Sequence, residues 1–199
     1  MTITSVRHGD DSLRDDDGRG DAVTLRPYYS QDGVVIYYGD CREVLPTVSA
    51  DVMVTDPPYG MAYESGWSGE SVANDNSVEC RDAALRMWLP RPALVFGRWS
   101  APRPDGVRFL LIWDKGDWPG MGDLSLPWGP STEEVYVLGS GFVGKRGGSI
   151  VRADRLTGNT QHPNEKPISL LVRLLQRCPP GMIADPFCGS GTTLRAAKD

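Results

Sequence analysis

Histidine, paired cysteines, long apolar runs and net positive charge are all scarce in this 199-residue chain. Only His8 and His162 could supply imidazole, and Cys41, Cys80, Cys178 and Cys188 form no Cys-x-x-Cys pair. That spacing supports neither a zinc site nor a disulfide framework, so reduced thiols and no metal are expected. No stretch is apolar for the length a membrane span needs. The N-terminus, MTITSVRHGDDSLRDDDGRGD, has no signal-peptide core, which points to a cytoplasmic location.

The net charge of −5 is unusual for a protein that meets nucleic acid, but its distribution matters more than its sum. Residues 10–21 contain six Asp and almost nothing apolar, so residues 1–22 read as a flexible acidic leader ahead of a domain spanning 23–199. By contrast, GSGFVGKRGGSIVRADRLTGNT (139–160) carries Lys145, Arg146, Arg152 and Arg155 against Asp154 alone. A Gly-rich basic loop of this kind can follow a phosphate backbone or simply be a solvated surface.

What is present is a series of short apolar runs separated by turns and amphipathic stretches. VVIYYGD (closing in a Gly-Asp turn), DVMVT, ALVFGRW, VRFLLIWDK, EEVYVLGSG and MIAD read as strands. Helices are expected over CREVLPTV, over 80–90 with Ala83, Ala84, Met87 and Trp88 on one side, and from Lys166-Pro167 with Ile168, Leu171, Val172 and Leu175 in register. This alternation predicts an α/β sheet covered by helices.

The DVMVT run stops at Asp56-Pro57-Pro58-Tyr59, because two prolines cannot continue a ladder. A carboxylate, a proline-fixed carbonyl and an aromatic ring are thereby left at the carboxyl end of a strand, where open α/β sheets bind ligands. Together they suit a flat heteroaromatic amine: the oxygens accept from an exocyclic NH₂ and the ring stacks. A plain turn would use the same residues. The Gly- and Ser-rich stretch 60–78 follows directly and reads as a mobile loop beside the site.

A second motif, Asp185-Pro186-Phe187-Cys188-Gly189-Ser190-Gly191-Thr192-Thr193, leaves a strand and opens a helix. It lacks the lysine of a phosphate-binding P-loop and the third glycine of a dinucleotide fingerprint. A ligand with a carboxylate and a ribose fits it better than a pyrophosphate.

With DPPY ahead of DPFCGSGTT, and with GDCREVLP, LIWDKGDWPGMGDL, PSTEEVYVLG and HPNEKPISLLVRLL between and around them, the chain resembles the DNA amino-methyltransferases over roughly Val34 to Asp199. The motif order resembles their circularly permuted beta class. The resemblance implies a Rossmann-like, S-adenosyl-L-methionine (SAM)-dependent methyltransferase fold, mostly parallel with one reversed strand. It also implies methyl transfer to adenine N6 in double-stranded DNA after base flipping, by direct in-line attack. Cytosine N4 is the nearest alternative, and a silent DNA-binding remnant is a third.

By the same resemblance, Asp56 and the Pro57 carbonyl hold the amino group, Pro58 completes the turn and Tyr59 stacks on the base. The methionine end of SAM falls to Asp185, Phe187, Gly189, Ser190, Gly191, Thr192 and Thr193, its adenine to Asp40 and Cys41, and its carboxylate to Lys166. Lys145, Arg146, Arg152 and Arg155 are the candidate DNA contacts. His162 reads as a turn residue and Cys188 as a small core residue. Family members continue past the cofactor loop into a further strand. The sequence therefore predicts a C-terminally truncated sheet with weakened SAM affinity and a bare edge beyond MIAD, open to homodimerisation.

Overall fold

The computed structural model describes residues 3–7, 26–60, 77–116, 120, 122–155 and 165–198, the first of these segments as backbone only. His8, His162 and most of the loop after Tyr59 lie outside the described residues.

The first half of the chain contributes strands β1 (Ile3–Arg7), β2 (Tyr29–Gln31), β3 (Val34–Tyr38), β4 (Val52–Thr55) and β5 (Ala93–Gly97), with helices α1 (Cys41–Val44) and α2 (Glu79–Trp88). The second half contributes β6 (Val107–Asp114), β7 (Thr132–Leu138), β8 (Ile150–Arg152), α3 (Ile168–Leu175), β9 (Ile183–Asp185) and α4 (Thr192–Ala196). The described strands form one sheet in the order β2-β3-β1-β9-β4-β5-β7-β6-β8. Parallel pairing links β3, β1, β9, β4 and β5, while β7 runs antiparallel to both β5 and β6. The carboxyl ends of β3, β9, β4, β5, β6 and β8 therefore share one edge of the sheet.

Period-two alternation sends successive side chains to opposite layers. Met53, Ala93, Val95, Tyr136 and Ala184 pack with Val44, Leu85 and Trp88 on the α1/α2 side. Val52, Val54, Leu94, Phe96, Val135 and Ile183 pack with Leu170, Leu171 and Leu174 on the α3 side. All four β4 residues are buried, as a central parallel strand covered on both faces requires. Each large apolar side chain removed from water in this way contributes about 1.5–3 kcal/mol. Gly97 is obligatory: a Cβ there would come within 2.2 Å of the Tyr136 ring, which crosses its face.

The apolar runs fall on strands as expected, and three expectations are corrected. The α2 face turned inward is Arg81, Ala84, Leu85 and Trp88, an i, i+3, i+4, i+7 set, whereas Met87 is exposed. The flexible leader cannot include residues 3–7, whose Thr- and Val-containing ITSVR segment forms β1. The edge beyond β9 is not bare, because β1 pairs with β9 on one side and β3 on the other. The argument for dimerisation through an open β9 edge loses its basis, since that backbone is already hydrogen-bonded. The expected deficit of strands there is likewise not seen: a segment from the N-terminus sits next to β9.

Candidate active site

β4 and β9 are neighbours, with Val52 beside Ile183 and Met53 beside Ala184. The two Asp-Pro motifs, at Asp56 and Asp185, thus leave the sheet side by side. Thr55 Oγ1 donates to Asp185 Oδ1 at 2.7 Å and ties the two strand ends together. To one side α4 follows β9, and to the other β4 leads through α2 to β5. The crevice between them is where an open α/β sheet takes its ligand.

At the β4 end, Asp56 is partly exposed and its two oxygens have different partners. Oδ1 accepts a short hydrogen bond from the Tyr59 hydroxyl. Oδ2 accepts from Lys166 Nζ at 2.6 Å. Burial and the neighbouring Asp56 charge raise the Tyr59 phenol well above its ordinary range, so it remains a neutral donor. Pro57 is buried and Pro58 partly so, which fixes the backbone leaving the strand.

Lys166 is buried, in contrast to the solvated first-turn lysine its position could equally have suggested. Alternation along β7 turns Glu133 to the same layer, and its Oε2 stands 3.3 Å from Lys166 Nζ. The ammonium also lies 5.1 Å from the centre of the Phe96 ring. Burial disfavours the charged lysine, but Asp56 and Glu133 outweigh it and raise its pKa. Lys115 Nζ closes on Glu133 Oε1 at 2.5 Å. The outcome is an alternating row: Lys115, Glu133, Lys166, Asp56, Tyr59. Reading the sequence missed Glu133. Its only signal was a pair of acids opening an otherwise apolar strand, one of which must face each layer.

At the β9 end, Asp185 is buried and pairs with no cation among the described residues. It accepts from Thr55 and from the Phe187 backbone N–H at 3.1 Å. Burial pushes its pKa up to about 6, against the opposing hydrogen bonds from Thr55 and Thr193. Gly189 and Gly191 take positive φ of 46° and 81°, which favours glycine there. The Cys188 carbonyl accepts from Gly191 N–H at 2.7 Å and closes the loop. Ser190 Oγ lies 3.2 Å from Thr192 Oγ1, and Thr192 and Thr193 are buried beneath the loop. Cys188 is buried and sits in the loop as a small packing residue. Glu165, just before Lys166, pairs with Arg195 of α4 and docks that helix against the α3 entry.

Asp40 follows β3 and reaches the same edge of the sheet. Its carboxylate caps α1, accepting from Arg42 N–H at 2.8 Å, and is also held by the Arg42 guanidinium. Cys41 points into the core, its Sγ 3.6 Å from Cys80 Sγ, so only its backbone could edge a ligand.

The four basic candidates lie on β8 and on the segments at either end of it. Arg152 ends β8 at the catalytic edge, its Nε 3.1 Å from Asp114 Oδ2 and its side chain 81% exposed. Arg155 is exposed three residues further on. Lys145 lies by the far end of α3, where its carbonyl accepts from Arg177, and Arg146 follows it. The Arg152 carbonyl accepts from Arg173, one helical turn before Arg177.

The comparisons now bear on this geometry. Residues 102–199 match the DNA methylase family model N6_N4_Mtase. This chain is 29% identical over 178 residues to “Putative methylase YubD” of Escherichia coli (strain K12), covering 80% of this chain and 77% of that one. It is 25% identical over 238 residues to the type II methyltransferase M.ScaI of Streptomyces caespitosus, covering 87% and 76%. The crystal structure of the M1.HpyAVI–SAM complex superposes with a TM-score of 0.54 at 19% identity, over 80% of this chain and 84% of that one. The last shows a shared fold. The sequence likenesses support a DNA amino-methyltransferase. Among the described residues no helix is long and apolar enough to cross a membrane.

Proposed function

We propose that this chain is a SAM-dependent DNA methyltransferase that methylates adenine N6 in duplex DNA, with the motif order of the permuted beta class. The observation that carries the reading is the seating of Asp56-Pro57-Pro58-Tyr59 and Asp185–Thr193 at the carboxyl ends of adjacent parallel strands, joined by the Thr55–Asp185 hydrogen bond. One motif suits an exocyclic amine, the other a glycine-lined cofactor, and methyl transfer needs the two in contact.

The residues present fit SAM. The β9 loop offers two left-handed glycines, a buried Asp185 and the Thr192–Thr193 pair, with Phe187 partly buried at its start. Phe187, Gly189, Ser190, Gly191, Thr192 and Thr193 would hold it, with Asp40 and the Cys41 backbone toward its adenine. When bound, SAM supplies an electrophilic sulfonium methyl.

The chain's own residues do the positioning. Asp56 has lone pairs beyond those used by Tyr59 and Lys166, and these accept the amino N–H bonds of a flipped base. The Pro57 carbonyl accepts the second N–H. The Tyr59 ring covers the base while its hydroxyl keeps Asp56 in orientation. Adenine is favoured over cytosine by the aspartate that opens the tetrapeptide, which in such enzymes accompanies adenine more often than cytosine. DNA approaches across the carboxyl edge, where Trp99 and Trp128 are about four-fifths exposed and Arg152 and Arg155 supply positive charge. A cytoplasmic location accords with such a substrate.

The test is labelled-methyl transfer from SAM to unmethylated plasmid, wild type against Asp56→Ala. The proposal expects transfer by the wild type and none by the variant, with DNA affinity changed less than about three-fold, because Asp56 touches one base and no phosphate. DNA binding without transfer by either protein would contradict it.

A further inference from the structure

Lys166 was expected to face the cofactor carboxylate, and its surroundings assign it elsewhere. An ammonium has three N–H donors. Here Asp56 Oδ2 takes one at 2.6 Å, Glu133 Oε2 stands at 3.3 Å, and the Phe96 face lies 5.1 Å away. The side chain is 8% exposed, so no solvated face remains for a further anion. Glu133 is not surface decoration either. Its Oε2 is buried with no aligned hydrogen bond, a costly arrangement unless the nearby ammonium compensates it. Its other oxygen is held by Lys115, which in turn lies 4.9 Å over the Trp113 ring.

We infer that Lys166 and Glu133 are positioning residues for the reaction centre: Lys166 locks the Asp56 carboxylate in its amine-accepting orientation, and Glu133 neutralises Lys166. This rests on the methyltransferase reading above and assigns Lys166 to the base side of the site instead of the cofactor side. Asp56 follows a strand, with Pro57 fixing its backbone, but its side-chain rotation is free unless both oxygens are held. Tyr59 holds one and Lys166 the other. The need for Glu133 follows from charge. As the N–CH₃ bond forms and the S–CH₃ bond breaks, positive charge passes from sulfur to the amino nitrogen, which then sheds a proton to solvent. A bare lysine beside that nitrogen would oppose the step. Glu133 removes the net charge from the lysine while leaving its hydrogen bond to Asp56.

The test compares wild type, Lys166→Met, Lys166→Arg and Glu133→Gln, each shown to be folded by circular dichroism. SAM affinity is read by calorimetry and kcat at saturating SAM and DNA. Lys166→Met should lower kcat about 100-fold, the size of a lost preorganised electrostatic contact, while SAM Kd stays within about three-fold. Lys166→Arg should recover about ten-fold of that loss, since the guanidinium restores the charge with a poorer fit. Glu133→Gln should lower kcat about ten-fold with both KM values little changed.

A ten-fold weaker SAM Kd in Lys166→Met with kcat preserved would overturn the assignment in favour of a cofactor ligand. Should Lys166→Met not fold, Glu133→Gln decides, and a wild-type kcat there overturns it. Were the wild type itself inactive, the methyltransferase reading would fall separately. Thermal melts of Asp56→Asn, Lys166→Met and the double variant would still test the lock: a double loss smaller than the sum of the singles supports it, and strict additivity overturns it.

Discussion

Two Asp-Pro dipeptides end two adjacent strands, and their aspartates are built to opposite specifications. Asp56 is partly exposed and held between a cation and a phenol. Asp185 is buried, and its donors among the described residues are neutral: Thr55, Thr193 and the Phe187 N–H. A carboxylate beside an ammonium has a charged hydrogen-bond donor to orient it, whereas burial without a nearby cation raises the pKa of the other to about 6. The same dipeptide at the same edge of the sheet thus yields one carboxylate tied to an ammonium and a phenol, the group proposed to receive the amine, and one that shapes a loop. What separates them is the neighbouring layer: the entry to α3 delivers Lys166 to the first, and among the described residues no cation pairs with the second.

The sharpest way to break this contrast is to remove the first aspartate. Asp56→Ala should lower methyl transfer by at least about a thousand-fold, on the order of 4 kcal/mol, in protein that is still folded at the assay temperature although its melting point falls because buried Lys166 loses a partner. Steady-state kinetics beside a melting curve would show it. Asp185 should respond in the reverse manner, through stability and pH. Its folded pKa of about 6 lies above the ordinary 3.8, so the native state holds this proton longer than the unfolded chain. The stability it contributes is therefore full below pH 4 and is lost as pH rises to 6, by about 3 kcal/mol for a shift of two units. Asp185→Asn cannot titrate, so urea melts between pH 4 and 7 should show the variant gaining on wild type across that window. A constant difference between the two would contradict the raised pKa.

Cutting the tie between the two ends is the next smaller effect. Thr55→Val deletes the 2.7 Å hydrogen bond and leaves a buried carboxyl short of a donor. A loss of about 2 kcal/mol is expected, measurable by urea denaturation. Tyr59→Phe is the mildest. It keeps the ring and removes only the hydroxyl that orients Asp56, so kcat should fall about ten-fold, or about 1.4 kcal/mol, with SAM affinity unchanged by calorimetry.

Much of this contrast was legible in the sequence. VMVT and IAD announced themselves as buried strands because an unbroken apolar run bounded by prolines has few other uses. The two motifs stood out because Pro and Gly restrict the backbone. The partners did not stand out. Lys166 is 110 residues from Asp56, and nothing in HPNEKP says which anion it meets. Glu133 was hidden in a pair of acids that reads as a solvated strand end. β1 was hidden in an acidic N-terminus, since a five-residue strand carries little signal until a sheet position receives it. The basic loop was legible as composition only: that Arg177 donates to the Lys145 carbonyl and that Arg152 pairs with Asp114 is set by the fold. Local patterns report elements, and the pairing between elements is set by the sheet.

The central claim is that these two strand ends together move a methyl group to a base. It is tested most directly by mass spectrometry of nucleosides from unmethylated duplex DNA incubated with this chain and SAM. The account predicts N6-methyladenine nucleoside with the wild type and its disappearance with Asp56→Ala. N4-methylcytosine instead would keep the chemistry and change the base. Neither product, from folded protein that binds DNA, would contradict the account.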